Sequence, residues 1–210
     1  MELDEAIRGR RSIRRYEDRL ISKDLIKEVI KAGTWAPSAK HGQQWRFTVL
    51  MESAKKGLTD FFRSELEALR KRIGEEDMGS SLWSCGVMEQ APVLVMVWNA
   101  GENDWDSEVH SVAAAIQNML LKAYGLGLGS LWIADIYYAI EPLTEYLGKP
   151  WKLMAAVTLG WPAEDPEAPP RKTVEEVAEF RNIVISPESS RHAVGSNYFS
   201  GGSSFSIESL

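Results

Sequence analysis

The sequence predicts an α+β fold in which helices cover both faces of one sheet. Two apolar runs carry that prediction. Residues 92–98 are continuous and of strand length, the pattern of a strand covered on both faces, and 153–159 read as another core strand. Between them, residues 107–124 form the best helical pattern in the chain, apolar on nearly every face. Strands and helices follow one another without the regular spacing of βαβ units, which separates this fold from a doubly wound sheet.

The chain opens on a short amphipathic run, Leu3, Ala6 and Ile7, with Gly9 as its stop. Residues 8–16 then place Arg8, Arg10, Arg11, Arg14 and Arg15 around Ser12 in a chain of net charge −6. Guanidinium forks match phosphate geometry, and a serine hydroxyl adds a donor. The residues alone leave two readings open, a phosphate site or a solvated basic turn. Ser22 caps a helix running to about Thr34, with Leu25, Ile26, Val29 and Ile30 as its stripe.

Residues 35–45 read as a loop from their Pro, Ser and Gly content, and 46–51 as a buried strand. Polar loops between a helix and a core strand often carry small-molecule contacts. Ser38, His41 and Gln43 offer donors and acceptors there, and the Gln43 amide can pair with a planar heterocycle. Plain turn chemistry is the competing reading. Residues 54–73 form a charged amphipathic helix, 79–90 a looser segment holding Trp83 and Cys85, and 100–106 a polar loop. The apolar helix 107–124, interrupted by Gln117 and Asn118, is expected to be central or to lie at a subunit interface.

Gly125, Gly127 and Gly129 close a helix and precede a strand. A dinucleotide-binding loop has the reverse order, so helix termination and close packing explain them better. A short strand at 131–133, a helix at 141–147 and the core strand 153–159 follow. Residues 163–172 are rich in proline and acid, and 173–176 form a capping box. Beyond about Ile185 the chain turns Ser- and Gly-rich. The expected organisation is one domain over 1–185 and a tail over 186–210, with no internal repeat.

Several chemistries are excluded. The acidic balance and the absence of a basic stripe beyond residues 8–15 argue against nucleic acid. No apolar run approaches the ~18 residues of a membrane span. The acidic start lacks a signal-peptide core, so the protein is expected to be cytoplasmic. His41, His110 and His192 have no metal-ligand spacing, and one cysteine leaves no zinc site. There is no phosphate loop and no nucleophile elbow, and Cys85 reads as a structural thiol rather than a nucleophile.

Five segments in order resemble the nitroreductase family of FMN-dependent oxidoreductases. They are Arg10 to Arg14; Ala36-Pro37-Ser38 through Gln43-Gln44-Trp45; Gln117 to Leu121 with Gly125-Leu126-Gly127; Leu159 to Pro162; and Pro170-Arg171-Lys172 before Val174-Glu175-Glu176. The resemblance covers about residues 1–180. It implies a three-layer fold with a mixed, mostly antiparallel sheet flanked by helices, in an intertwined homodimer with FMN at the interface. Arg10, Arg11, Ser12 and Arg171 would hold the phosphate. Arg14 would lie by the pyrimidine end of the ring, stabilising charge on the reduced flavin. Pro37, Ser38, His41 and Gln43 would line the ring from the partner subunit, and the backbone at Trp132 and Ile133 would cover its other side. The chain departs from the family at His41, often Asn; at Gln44, often Pro; at Pro169, often Lys; and at Ala134 and Asp135, often Gly.

The function so implied takes hydride from NADH or NADPH and reduces a nitroaromatic, quinone or related small-molecule acceptor, with the chemistry on the flavin and no catalytic side chain. The same fold also serves reductive dehalogenation and flavin fragmentation, where a lid sets the reaction; residues 79–106 are the candidate lid. A non-catalytic flavin-binding protein is the third alternative. The acceptor and the choice between NADH and NADPH are not legible in the sequence.

Overall fold

Helices cover both faces of a four-stranded sheet in the computed structural model, which describes residues 2–103 and 105–181. The expected tail 186–210, and His192 within it, lie outside the described residues. The chain divides after Ala168 into two units. In the second, Thr173 accepts the Glu176 N–H while the Glu176 carboxylate accepts the Thr173 N–H at 2.7 Å, the predicted capping box. It opens a helix of one turn, Val174–Val177.

The first unit contains the sheet. Its strands are β1 (Trp45–Met51), β2 (Val93–Asn99), β3 (Gly129–Ile133) and β4 (Lys152–Gly160), in the order β1-β2-β4-β3. All three pairings are antiparallel. The expected parallel element is an isolated bridge from Ser12 to Ser130. β2 is central and every one of its residues is buried, as its unbroken apolar run predicts.

The two faces of β2 feed separate cores. Val93, Val95 and Val97 pack with Ile26 and Val29 of α2 (Lys23–Gly33) and with Val112, Ile116 and Met119 of α5 (Asp106–Gly125). Leu94, Met96 and Trp98 pack with Leu58, Phe62 and Leu66 of α3 (Glu52–Ile73), Met88 of α4 (Ser81–Gln90) and Leu143 of α6 (Ile140–Tyr146). Each such buried side chain contributes about 1.5–3 kcal/mol relative to exposure. The remaining α-helix described in this unit is α1 (Leu3–Gly9), which contacts α5.

Residues 79–90 differ from the sequence reading. They contain α4, a helix without an apolar stripe, because Ser84, Cys85, Val87 and Met88 are all buried and almost no polar side remains to mark a period. That burial also corrects the candidate lid at 79–106. Its first part packs into the core and its middle is the central strand, so neither can lift without dismantling the sheet. Cys85 is wholly buried; burial pushes its thiol up to about 12, which keeps it protonated and inert.

Candidate functional site

The arginine strip is anchored to β3. Arg10 caps α1, its N–H donating to Ala6 O at 3.1 Å. Ile13 then buries its side chain and donates its N–H to Ser130 O at 3.0 Å. Gly129 makes the approach possible: a Cβ there would lie 2.8–2.9 Å from three Ile13 side-chain atoms. Tyr16 locks the far end of the strip. Its hydroxyl lies 2.7 Å from Ile13 O and 2.6 Å from Thr158 Oγ1, and burial pushes the phenol far up.

Glu164 ties the strip between these anchors. One carboxylate oxygen accepts the N–H groups of Arg14 at 2.5 Å and Arg15 at 3.1 Å; the other accepts Arg15 Nε at 3.0 Å. Burial alone would raise this carboxyl, but those hydrogen bonds outweigh it and hold the pKa below the usual carboxylate value. The Arg14 side chain donates to Ser12 O at 3.0 Å and lies 5.5 Å above the exposed Trp83 ring.

Arg10 and Arg11 line a cavity of about 190 Å³ with Tyr124, Ser130, Glu164 and Asp165. Arg11 Nη1 is turned onto the carbonyls of Arg8 and Arg10 at 2.6 and 2.9 Å, while its Nε is buried with no partner. An unmatched buried donor of this kind costs free energy unless a ligand supplies an acceptor. Trp132 is exposed on β3, two residues beyond Ser130, whereas Ile133 is buried and can offer only its backbone. The strip and this part of β3 are therefore brought together.

The second group lies elsewhere. Pro37 is exposed; Ser38 precedes a single 3₁₀ turn, Ala39–His41. Lys40, His41 and Gln43 all have left-handed backbones, with φ of 51°, 54° and 47°. Three such residues in four positions form an unusual cluster for non-glycine residues, and strain of this kind persists only where the surroundings impose it. Ser38 imposes part of it, its Oγ accepting the Gln43 N–H at 3.1 Å and its carbonyl the His41 N–H at 3.0 Å. Ala39 N–H donates to Ser111 Oγ on α5 at 3.0 Å. His41 Nε2 lies 3.1 Å from Gln43 Nε2.

Ser111 and Tyr124 mark the two groups' positions along α5. The loop 37–43 is tied to Ser111, while Gly9, beside the arginines, lies against Tyr124. At a rise of about 1.5 Å per residue these contacts are ~20 Å apart along one helix. Arg171 apart, a single chain thus holds the predicted site residues as two separated groups. Arg171 is exposed and belongs to the second unit.

Sequence reasoning missed Glu164, Ser130, Gln44 and Glu108. Gln44 is buried; its Nε2 donates to Ala39 O at 3.3 Å and its Oε1 has no partner. Glu108 is buried and accepts from the side-chain amides of Asn99 and Asn103, both at 3.3 Å, which organises the loop after β2. Only Gln44 had a signal, as a polar residue where the family often has proline. Glu164 and Ser130 take their places through partners far away in sequence, and Glu108 through two amides that shortly precede it, at the end of β2 and in the loop after it.

The nitroreductase family pattern matches residues 7–161. An Archaeoglobus fulgidus protein whose name, an inferred one, is NADH dehydrogenase/NAD(P)H nitroreductase is 32% identical over 74% of this chain and 83% of its own. A Methanothermobacter thermautotrophicus protein of the same inferred name is 29% identical over 79% and 80%. Two relatives at 25% identity carry other names: 5,6-dimethylbenzimidazole synthase of Rhodospirillum rubrum, covering 80% of this chain and 85% of its own, and iodotyrosine deiodinase of Nematostella vectensis, covering 84% and 74%. Among solved structures, a Desulfovibrio desulfuricans protein with FMN bound, an inferred nitroreductase, superposes with a TM-score of 0.70 at 29% identity, over 86% of this chain and 98% of that one. The α+β fold, the ordered motifs and the match across residues 7–161 agree: this chain belongs to the nitroreductase family.

Proposed function

We propose that two copies of this chain form an FMN-dependent oxidoreductase that takes hydride from NADH or NADPH and reduces a nitroaromatic, quinone or related acceptor. One observation carries the reading. The arginine strip with β3 and the loop 37–43 are the two halves of one expected site, yet they sit at opposite ends of α5. A second copy can bring its loop to the first copy's strip. The outward line of α5, with Val109, Ala113 and Leu121 half-buried and Gln117 exposed, supplies a surface for that pairing.

The residues present fit FMN. The buried, unpaired Arg11 Nε suits a phosphate, and of the two acids that line the same cavity, Glu164 and Asp165, Glu164 already binds the strip's own N–H groups. Arg10, Arg11 and Ser12 would hold the phosphate, together with Arg171 from the last part of a functional domain over 1–185. Arg14 would place its charge beside the pyrimidine edge, favouring electron-rich flavin. Pro37, Ser38, His41 and Gln43 of one copy would line the ring bound to the other, and the backbone at Trp132 and Ile133 would cover its opposite side. The chemistry supplied by bound FMN is hydride acceptance from NAD(P)H and delivery of electrons to the acceptor. The chain itself contributes binding, orientation and charge. Among the described residues, no helix is long and apolar enough to cross a membrane, and the site reading requires neither membrane nor nucleic acid.

The test is the absorbance of the purified protein before and after anaerobic addition of NADH or NADPH, with sedimentation in parallel. A dimer with flavin absorbance that bleaches on reductant is expected. Bound flavin that does not bleach would make the protein a flavin carrier. Reoxidation by halogenated aromatics but not by nitroaromatics or quinones would move the acceptor to dehalogenation, and loss of the flavin itself would indicate fragmentation. A stable monomer that retains FMN at micromolar concentration would defeat the two-copy site.

A further inference from the structure

The left-handed backbones of His41 and Gln43 turn their side chains onto each other, Nε2 to Nε2 at 3.1 Å. An amide nitrogen only donates, so this contact needs an imidazole Nε2 that accepts, with the ring proton on Nδ1. A protonated ring carries hydrogen on both nitrogens and can no longer accept. The pair then survives only if the Gln43 amide turns end for end and its Oε1 accepts from the imidazole. The backbone offers little alternative. Ser38 holds both residues through their N–H groups, and Arg46 Nη1 donates to Gln43 O at 2.9 Å.

We infer that the charge on His41 sets which end of the Gln43 amide faces away from the ring, and so whether Gln43 offers an acceptor or a donor to a ligand. With neutral His41 the outward group is Oε1. With protonated His41 it is the NH₂. The ligand consequence rests on the proposed placing of Gln43 against a flavin, whose edge presents both donors and acceptors; the switch itself does not.

The charged groups around the turn are few. Lys40 is directed over the Trp105 ring at 4.3 Å, and Arg46 is engaged as above. α5, which packs against the turn, carries Asp106, Glu108, His110 and Lys122. Glu108 is buried on two amides, and Lys122 lies 3.6 Å from Glu28. His110 is therefore the one neighbour among the described residues with a side chain of the same titration class, and it needs its own control.

The experiment follows the side-chain amide of Gln43 by ¹⁵N NMR in the full chain, with and without FMN, between pH ~5 and ~8, where imidazoles change charge. Gln43→Glu, which lacks the NH₂, assigns the signal. The expected result is a Gln43 signal that shifts with the same midpoint as the His41 ring nitrogens. The shift disappears in His41→Asn and persists in His110→Asn. The phosphate's own titration near pH ~6 is common to both proteins, so the pH dependence of FMN affinity should differ between wild type and His41→Asn by about tenfold across the range, the size of one exchanged hydrogen bond. A Gln43 signal that ignores pH, or shifts equally in His41→Asn, overturns the inference. A signal that follows the ring while FMN affinity has the same pH dependence in wild type and His41→Asn keeps the switch and overturns the placing of Gln43 on the flavin.

Discussion

The two halves of the proposed site are held by different forces. The strip 10–16 is pinned to the sheet: Ile13 buried, Ser12 bridged to Ser130, Tyr16 bonded to Thr158, Glu164 tying two successive N–H groups. The loop 37–43 is exposed and held by a few hydrogen bonds that sustain left-handed residues. A rigid cationic strip suits tight binding of a phosphate, because its guanidinium groups keep their charge at every working pH. A loop built on an imidazole and an amide suits adjustment of what is bound. Affinity should therefore lie in the first half and tuning in the second.

The largest expected effect would test the strip as the source of affinity. Each charged hydrogen bond to phosphate contributes about 1.5–3 kcal/mol. Arg10→Ala and Arg171→Ala should each weaken FMN binding by roughly ten- to a hundredfold. Arg10→Glu should lose more than about a hundredfold, since it adds repulsion. Riboflavin, which lacks the phosphate, should be affected far less in all three. Equal losses for FMN and riboflavin would mean that these arginines serve the fold.

A smaller effect separates the strip's scaffold from its charges. Glu164→Ala removes the acceptor shared by Arg14 and Arg15 and should destabilise the protein by about 2 kcal/mol, lowering Tm by roughly 4–8 °C. The pH dependence has a definite sign. The folded-state pKa of Glu164 is lowered, so its contribution is complete above the unfolded value near ~4.3 and fades as pH falls through the lower folded value. Denaturant titrations between pH ~2 and ~6 should show a shallower acid loss in Glu164→Gln than in wild type. Parallel curves would deny Glu164 this role.

The smallest effect concerns the loop. Gln44→Met removes one hydrogen bond and also one buried, unpaired oxygen, so stability should change by less than about 1 kcal/mol. The measurement is the denaturation midpoint of the two proteins. A loss of several kcal/mol would make Gln44 the keystone of the turn, and the loop would then be as firmly built as the strip.

The sequence made the layers legible because burial leaves periodic or unbroken apolar runs. β2 and β4 were read from such runs, and α2, α3 and α5 from theirs. α4 was not, because a helix buried on most sides has no stripe. Within the site, Arg10 to Arg14 stood out as charge against an acidic background, and Ser38 to Gln43 as polar loop chemistry. Glu164, some 150 residues from its partners, left no local mark, and neither did the left-handed backbone that joins His41 to Gln43. Their separation along α5 was likewise invisible without the fold.

The central claim, a site shared between two copies, is tested most directly by mixing two disabled chains. Arg10→Glu disables the strip, and Ser38→Trp fills the loop side. Each variant alone should bind no FMN. In a mixed dimer, one site combines both defects and the other combines an intact strip with an intact loop. The account predicts one FMN per mixed dimer, measured as flavin absorbance on dimers isolated with two different affinity tags. No FMN on the mixed dimer, with the dimer itself intact, would place the whole site within one chain and contradict the account.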